Sequence, residues 1–166
     1  MEAVRFSELE EEDLPFVKEV YDYYTLHSTA VYFTAPVSPD EIRSSVPLHD
    51  PQYRSFLIRD TKGRRAGFCS FNRFKEKPAF RISVEVTVYL APDCLHRGIG
   101  TAALEYLEAV IRRKGFSNAV ALVDSENRAS IRLFEKCGYT CAARLKEIAE
   151  KFGKKLTLNI YQKILV

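Results

Sequence analysis

The stretch RISVEVTVYLAPDCLHRGIGT, Arg81 to Thr101, decides how the rest of the chain is read. Its first half alternates: Ile82, Val84, Val86 and Val88 fall between Ser83, Glu85, Thr87 and Tyr89, a period of two rich in β-branched residues, which predicts a strand. Ala91-Pro92-Asp93 stops it. His96-Arg97-Gly98-Ile99-Gly100-Thr101 then leads into apolar residues at Ala102, Ala103, Leu104, Leu107, Val110 and Ile111, the spacing of a helix that ends near Lys114. Glycines at such a strand-to-helix turn expose backbone N–H groups at the positive end of a helix, a ready site for phosphate. The strand carries one carboxylate, Glu85, among apolar neighbours. A phosphate cradle and a candidate base sit one loop apart.

Composition bounds what surrounds this stretch. The 166 residues predict one domain, residues 1–166, with 46% apolar and 28% charged residues, as in an ordinary globule. A net charge of +3, spread along the chain, argues for no nucleic-acid partner. No apolar run approaches the roughly 18 residues of a membrane span, and an acidic start argues against a secretory leader; a cytoplasmic protein off the membrane is expected. The four cysteines, Cys69, Cys94, Cys137 and Cys141, lack metal-ligand spacing, so reduced thiols and no metal are expected.

Outward from the centre, Val4–Phe6 reads as a short strand and Ser7–Glu12 as the approach to a helix. Leu14, Phe16, Val17, Val20, Tyr21 and Tyr24 mark an amphipathic helix from Glu11 to Leu26. Thr25–Pro36 is a polar-aromatic loop. Ser38-Pro39-Asp40-Glu41 starts a short helix with a cap, a proline and acids. Tyr53–Arg59 and Arg65–Phe71 pair as a hairpin across Asp60-Thr61-Lys62-Gly63. Beyond the glycine turn, Asn118–Asp124 is a strand, Ser125-Glu126-Asn127 opens a helix that ends at Gly138, and Tyr139–Leu145 and Lys155–Leu165 are further strands. Mixed α/β architecture follows, with strands paired early and crossed later by helices.

Taken together, SVEVTVYLAP, HRGIGTAALEYL and NAVALVDSENRASIRLFEKCGY resemble the GNAT superfamily of acetyl-CoA-dependent N-acetyltransferases. Ser28-Thr29-Ala30-Val31-Tyr32, followed by Ser38-Pro39-Asp40-Glu41 and by the Val84–Tyr89 strand, resembles the phosphinothricin and methionine-sulfone branch. The resemblance implies a mixed, mostly antiparallel twisted sheet of about seven strands, splayed at its middle and flanked by about four helices. It implies acetyl-CoA as co-substrate, bound by Val88, Tyr89 and Leu90, by His96, Arg97, Gly98, Ile99, Gly100 and Thr101, and by Asn127 and Lys136. A homodimer is implied as well, and the aromatics around Tyr21, Tyr23 and Tyr24 suit either an interface or a core. The family's usual Gln or Arg is Leu95 here, and the tyrosine that many members use as an acid is Phe134.

Acetyl transfer needs a neutral amine to attack a thioester, and an amine is mostly protonated near neutral pH. A base therefore helps. Glu85 is the candidate if it faces the cleft, where burial would raise its pKa; the bland alternative is a solvated or salt-bridged glutamate. The thiolate's proton comes from solvent, from a hydroxyl such as Tyr89, or from no acid at all. Asn127 can equally be a plain helix cap, and His96 a plain surface residue.

For the acceptor, the resemblance points to Ser28, Thr29, Arg73, Lys75, Lys77 and Phe80 as lining residues, the cations suiting a carboxylate or phosphinate. Ala149-Glu150-Lys151 and Lys155-Leu156-Thr157 depart from the branch, which leaves the particular amine open. A protein N-terminal or lysine acetyltransferase would need an open groove instead. A non-catalytic acyl-CoA sensor would keep the glycine turn without needing Glu85.

Overall fold

The computed structural model describes residues 3–166. Its centre is the alternating segment read above, β4 (Ser83–Leu90), in a seven-stranded sheet. The other strands are β1 (Arg5–Glu8), β2 (Arg54–Arg59), β3 (Arg65–Arg73), β5 (Asn118–Asp124), β6 (Thr140–Lys151) and β7 (Lys154–Ile164), and the order across the sheet is β1-β2-β3-β4-β5-β7-β6. Every neighbouring pair is antiparallel except β4 with β5. A parallel pair needs a crossover, which α3 (Ile99–Arg113) supplies.

Both faces of β4 are covered. On one, Val84 and Val86 pack with Leu104, Leu107 and Ile111 of α3 and with Phe134 of α4 (Arg128–Lys136). On the other, Leu57 and Phe68 pack with Val17, Val20 and Tyr21 of α1 (Leu14–His27) and Ile42 of α2 (Pro39–Ser45). Tyr21 is thus a core residue, whereas Tyr23 is 41% exposed. The cap read from Ser38 forms: its hydroxyl accepts from the Glu41 amide at 3.2 Å, and the Glu41 carboxylate accepts from the Ser38 amide at 2.7 Å.

The element boundaries differ from the sequence reading where pairing overrides local pattern. Ser7 and Glu8 extend β1 because they pair with Leu57 and Phe56. Glu11–Asp13 forms a 3-10 turn ahead of α1. Ile82 lies just outside β4 and is 49% exposed. β6 runs on past Leu145 to Lys151, since Phe152 and Gly153 both take positive φ, 56° and 68°, and close a tight hairpin onto β7. Paired positive φ at both turn residues matches the twist of the flanking strands.

The sheet opens at its middle. β4 and β5 pair only from Ser83–Asn118 to Glu85–Val120, yet β3 follows β4 to Leu90 and β7 follows β5 to Asp124. Beyond Glu85 the two central strands part. Gly67 sets how closely β4 leans on β3: a Cβ there would lie 2.2 Å from the Tyr89 carbonyl oxygen and 2.9 Å from Leu90 Cα.

Candidate active site

The gap between β4 and β5 is lined by main chain whose phase two contacts fix. The Ala91 amide donates to Ala66 O, 2.8 Å, and the Ser117 amide to Ile82 O, 3.0 Å. By antiparallel alternation, Glu85, Thr87 and Tyr89 then turn their backbone groups to β3, while Val86, Val88 and Leu90 turn theirs into the gap. Val88 and Leu90 therefore present main-chain groups to the gap. Tyr89 does not, because its backbone belongs to the ladder with β3. The Leu90 carbonyl already accepts the Tyr24 hydroxyl at 2.6 Å.

Side chains follow the complementary phase. Val84 and Val86 enter the α3-side core, so Glu85 and Tyr89 face the α1 side. Glu85 is half-buried and makes no hydrogen bond or ion pair with the described residues. Burial raises its pKa above the ordinary carboxylate range, and the Lys75 ammonium partly opposes that rise. Beside it, Asn72 is anchored to Ser45 O at 2.8 Å. Tyr89 stands in an aromatic cluster with Tyr21 (5.2 Å between centroids), Phe68 (5.6 Å) and Tyr24 (6.0 Å). Burial, then the neighbouring phenols, hold its pKa well above 10. It keeps its proton.

At the far end of the gap, the glycine turn forms the N-terminus of α3. Gly98 is the N-cap with φ 76°, a left-handed conformation that a side chain strains; space is no constraint, since nothing lies within 4 Å of a Cβ there. Gly100 is confined in another way: a Cβ would meet the Leu133 side chain at 3.0 Å, so Leu133 would have to give by a few tenths of an ångström. His96 also takes positive φ, 60°, and Leu95 through Gly98 are exposed. The amides of Ile99, Gly100 and Thr101 lie in the first helical turn, where no carbonyl of the helix can reach them. Lys136, exposed at the end of α4, and Thr101 line one hollow of about 390 Å³. Asn127 caps α4 by accepting from the Ser130 amide at 3.2 Å. Phe134 is packed between Tyr139 and Tyr161.

The expected acceptor residues divide. Ser28 closes α1, donating to Tyr24 O and accepting from the Ala30 amide, both at 3.1 Å. Thr29 donates its hydroxyl to Asp124. Lys75 lies near Glu85, with its ammonium 5.7 Å from the Phe74 ring. Phe80 packs on Phe74 at 6.0 Å, half exposed, and Lys77 is exposed in the turn before it. Arg73 goes elsewhere. It pairs with Val84, so its side chain takes the α3 side, over Tyr53 at 5.8 Å, and binds Glu76 at 3.0 Å. The extension of β3 by two residues puts it on the wrong face for Glu85.

A short strap of loop, Thr29–Val31, spans the gap on the Glu85 face. Thr29 holds Asp124 of β5, the Ala30 carbonyl accepts from the Tyr89 hydroxyl of β4 at 3.4 Å, and the Val31 carbonyl accepts from Lys151 of β6 at 2.9 Å. Nothing in the sequence marks Tyr24, Val86, Asp124 or Lys151 as site residues; only the strand alternation that places Val86 and Asp124 could have pointed to them. Among the described residues no group of three or more His, Cys, Asp and Glu is arranged to hold a metal, and no helix is long and apolar enough to cross a membrane.

Comparison with known proteins bears on this arrangement. Residues 6–139 match the Acetyltransferase (GNAT) family. A phosphinothricin N-acetyltransferase of Streptomyces coelicolor is 30% identical over 92% of this chain and 91% of its own length. An L-methionine sulfoximine/L-methionine sulfone acetyltransferase of Salmonella typhimurium is likewise 30% identical, over 96% of this chain and 92% of its own. Among solved structures, a phosphinothricin acetyltransferase from Sinorhizobium meliloti in complex with acetyl-CoA superposes with a TM-score of 0.90 at 25% identity, covering 98% of this chain and 89% of that one.

Proposed function

The chain belongs to the acetyltransferase (GNAT) family and is an acetyl-CoA-dependent N-acetyltransferase, and from that premise we propose that its acceptor is the amine of a small amino-acid-like molecule, with Glu85 as the general base. One observation carries the reading. A half-buried carboxylate with no partner among the described residues and a raised pKa stands where the two central strands part. The strap over that face supports an enclosed acceptor rather than a protein chain.

The residues present fit acetyl-CoA. Unpaired amides at Ile99–Thr101, with Lys136 and Arg97 nearby, would take its diphosphate. Val86, Val88 and Leu90 would take its pantetheine arm through their main chain, and the side-chain amide nitrogen of Asn127 is left over from capping to assist. When bound, acetyl-CoA supplies an activated acyl carbon. Glu85 removes one proton from the acceptor's ammonium, directly or through water; the freed nitrogen forms the C–N bond as the C–S bond breaks, and its second proton passes to water. A thiolate whose pKa is about 8.5 can take its proton from water. Tyr89 is a poor donor for that step because its own pKa is held far higher; we assign it to the acceptor wall.

Two outcomes test these parts. The rising limb of kcat/KM against pH lies above the ordinary carboxylate range, and Lys75→Met moves it further up, because removing the cation leaves burial unopposed. A limb that stays put or moves down contradicts the assignment. Gly98→Ala costs about 1–2 kcal/mol through left-handed strain alone, measured as a lower Tm, and weakens acetyl-CoA in calorimetry. An amine panel with acetyl-CoA tests the acceptor class; turnover only with peptides would overturn it. The reading further takes residues 1–166 as one domain that works in the cytoplasm as a homodimer. Exposed Leu145 and Ile148 on edge strand β6 support the dimer, and light scattering checks it.

A further inference from the structure

A tyrosine from α1 reaches the edge of the gap. Tyr24 stands in the last turn of that helix, where its own carbonyl accepts from the Ser28 amide at 3.0 Å and from the Ser28 hydroxyl at 3.1 Å. Its ring packs edge-on against Tyr23 at 5.2 Å and lies 6.0 Å from Tyr89. Held in this way, its hydroxyl donates to Leu90 O at 2.6 Å. That carbonyl is one of those that β4 turns toward the gap rather than toward β3. The place is open: Val84 and Val86 are buried, but every residue of β4 from Thr87 to Leu90 is partly exposed, and so is Tyr24.

This bond decides what the gap offers at its outer level. A phenol has one proton to give and an oxygen that can also accept. Burial raises the Tyr24 pKa to about 12, so the proton stays, and Leu90 O takes it. The phenolic oxygen is left as an acceptor, beside the Leu90 amide, a donor that also faces the gap. An acceptor next to a donor suits a group that carries both, such as a hydroxyl adjoining an amide.

Length identifies which part of the cofactor meets them. A thioester served by Glu85 lies near Val86, its gap-facing neighbour, and Leu90 is four residues further along β4, about 13 Å at the rise of a strand. An extended pantetheine arm runs about ten bonds from the thioester carbon to the carbon bearing the pantoyl hydroxyl, about 12 Å at the same advance per bond. The hydroxyl and amide of the pantoyl group therefore fall level with Leu90, on the way to the glycine turn. We propose that Tyr24 is a cofactor-positioning residue, its phenolic oxygen accepting from the pantoyl end of acetyl-CoA while its proton stays on Leu90 O. This rests on the acetyl-transfer reading above and adds a contact between the diphosphate and the thioester. It fixes how far the arm slides along β4, and so how close the acyl carbon comes to Glu85.

Tyr24→Phe, which keeps the ring and removes the hydroxyl, tests this with three donors: acetyl-CoA, S-acetylpantetheine and S-acetyl-N-acetylcysteamine, which ends before the pantoyl group. With the first two, kcat/KM is expected to fall about 3–10-fold, as for loss of one neutral hydrogen bond, and with the third to stay within about twofold of wild type. Equal losses with all three would mean that Tyr24 only holds the end of β4, and no loss with any would mean that it does nothing for the donor; either overturns the proposal. A measurement on the wild type avoids dependence on the variant's folding. In protein labelled with ¹³C at tyrosine Cζ, the Tyr24 resonance should shift on saturation with CoA and stay in place with adenosine 3′-phosphate 5′-diphosphate, which lacks the arm. Equal shifts with both would contradict the assignment. A protein that binds no CoA defeats the acetyl-transfer reading itself; CoA bound with the Tyr24 resonance unmoved defeats this inference alone.

Discussion

Glu85→Gln is expected to lower kcat about 10²–10⁴-fold, the range that a positioned base contributes to proton transfer. The substitution conserves shape, and Glu85 has no hydrogen-bond partner among the described residues to lose, so the acetyl-CoA KM should stay within about twofold. Stability should not fall. Burial disfavours the charged carboxylate, and a neutral amide at that position relieves the cost, so Tm is expected to hold or rise. That combination separates a base from a structural glutamate: a structural residue would lose Tm and activity together. The residual rate should also lose the rising limb of its pH profile, since glutamine does not titrate in that range. Unchanged turnover in the variant would reject Glu85 as base.

Gly67→Ala should be nearly as damaging, although Gly67 lies on β3 and touches no reacting group. Its added methyl would fall 2.2 Å from the Tyr89 carbonyl oxygen, and the obstacle is backbone rather than a side chain that can turn aside. Relief requires β4 to move away from β3, toward the gap. Overpacking of this kind costs about 1–3 kcal/mol, read as a lower Tm. The catalytic penalty is expected to exceed what that loss accounts for: displacing β4 moves Val86, Val88, Leu90 and Glu85 together, and a misplacement of about 1 Å can cost about 10²-fold in rate. A folded Gly67→Ala protein with wild-type kcat/KM would mean that the lean of β4 on β3 does not set the geometry of the gap.

The sequence shows clearly whatever depends on neighbours in the chain. Val84, Val86 and Val88 announce a strand by their period, Gly98 and Gly100 announce a strand-to-helix turn, and Ser38 with Glu41 announces a cap; all three form as read. Contacts between distant segments are not legible in that way. Asp124 reads as the polar end of a strand, and nothing local shows that it is buried or that Thr29, 95 residues earlier, is its partner. Arg73 was misplaced for a related reason. Two further residues of pairing carry β3 past Phe71, so Arg73 shares the α3-side face of Phe71, opposite to Glu85. The opening between β4 and β5 is likewise a pairing that stops, and a missing partner leaves no mark in composition. Tyr89 shows the same limit: its hydroxyl suggests an acid, but only the packing of Tyr21, Tyr24 and Phe68 around it shows why the proton is held.

The most direct test is amide-resolved NMR of the ¹⁵N-labelled protein titrated with acetyl-CoA. The amides of Ile99, Gly100 and Thr101 and those of Val86, Val88 and Leu90 should shift together at one saturation point, while Glu85, Thr87 and Tyr89, whose amides belong to β3, should move less. Shifts confined to another part of the surface, such as the hollow of about 400 Å³ around Pro51, Arg81 and Lys114, would contradict the account.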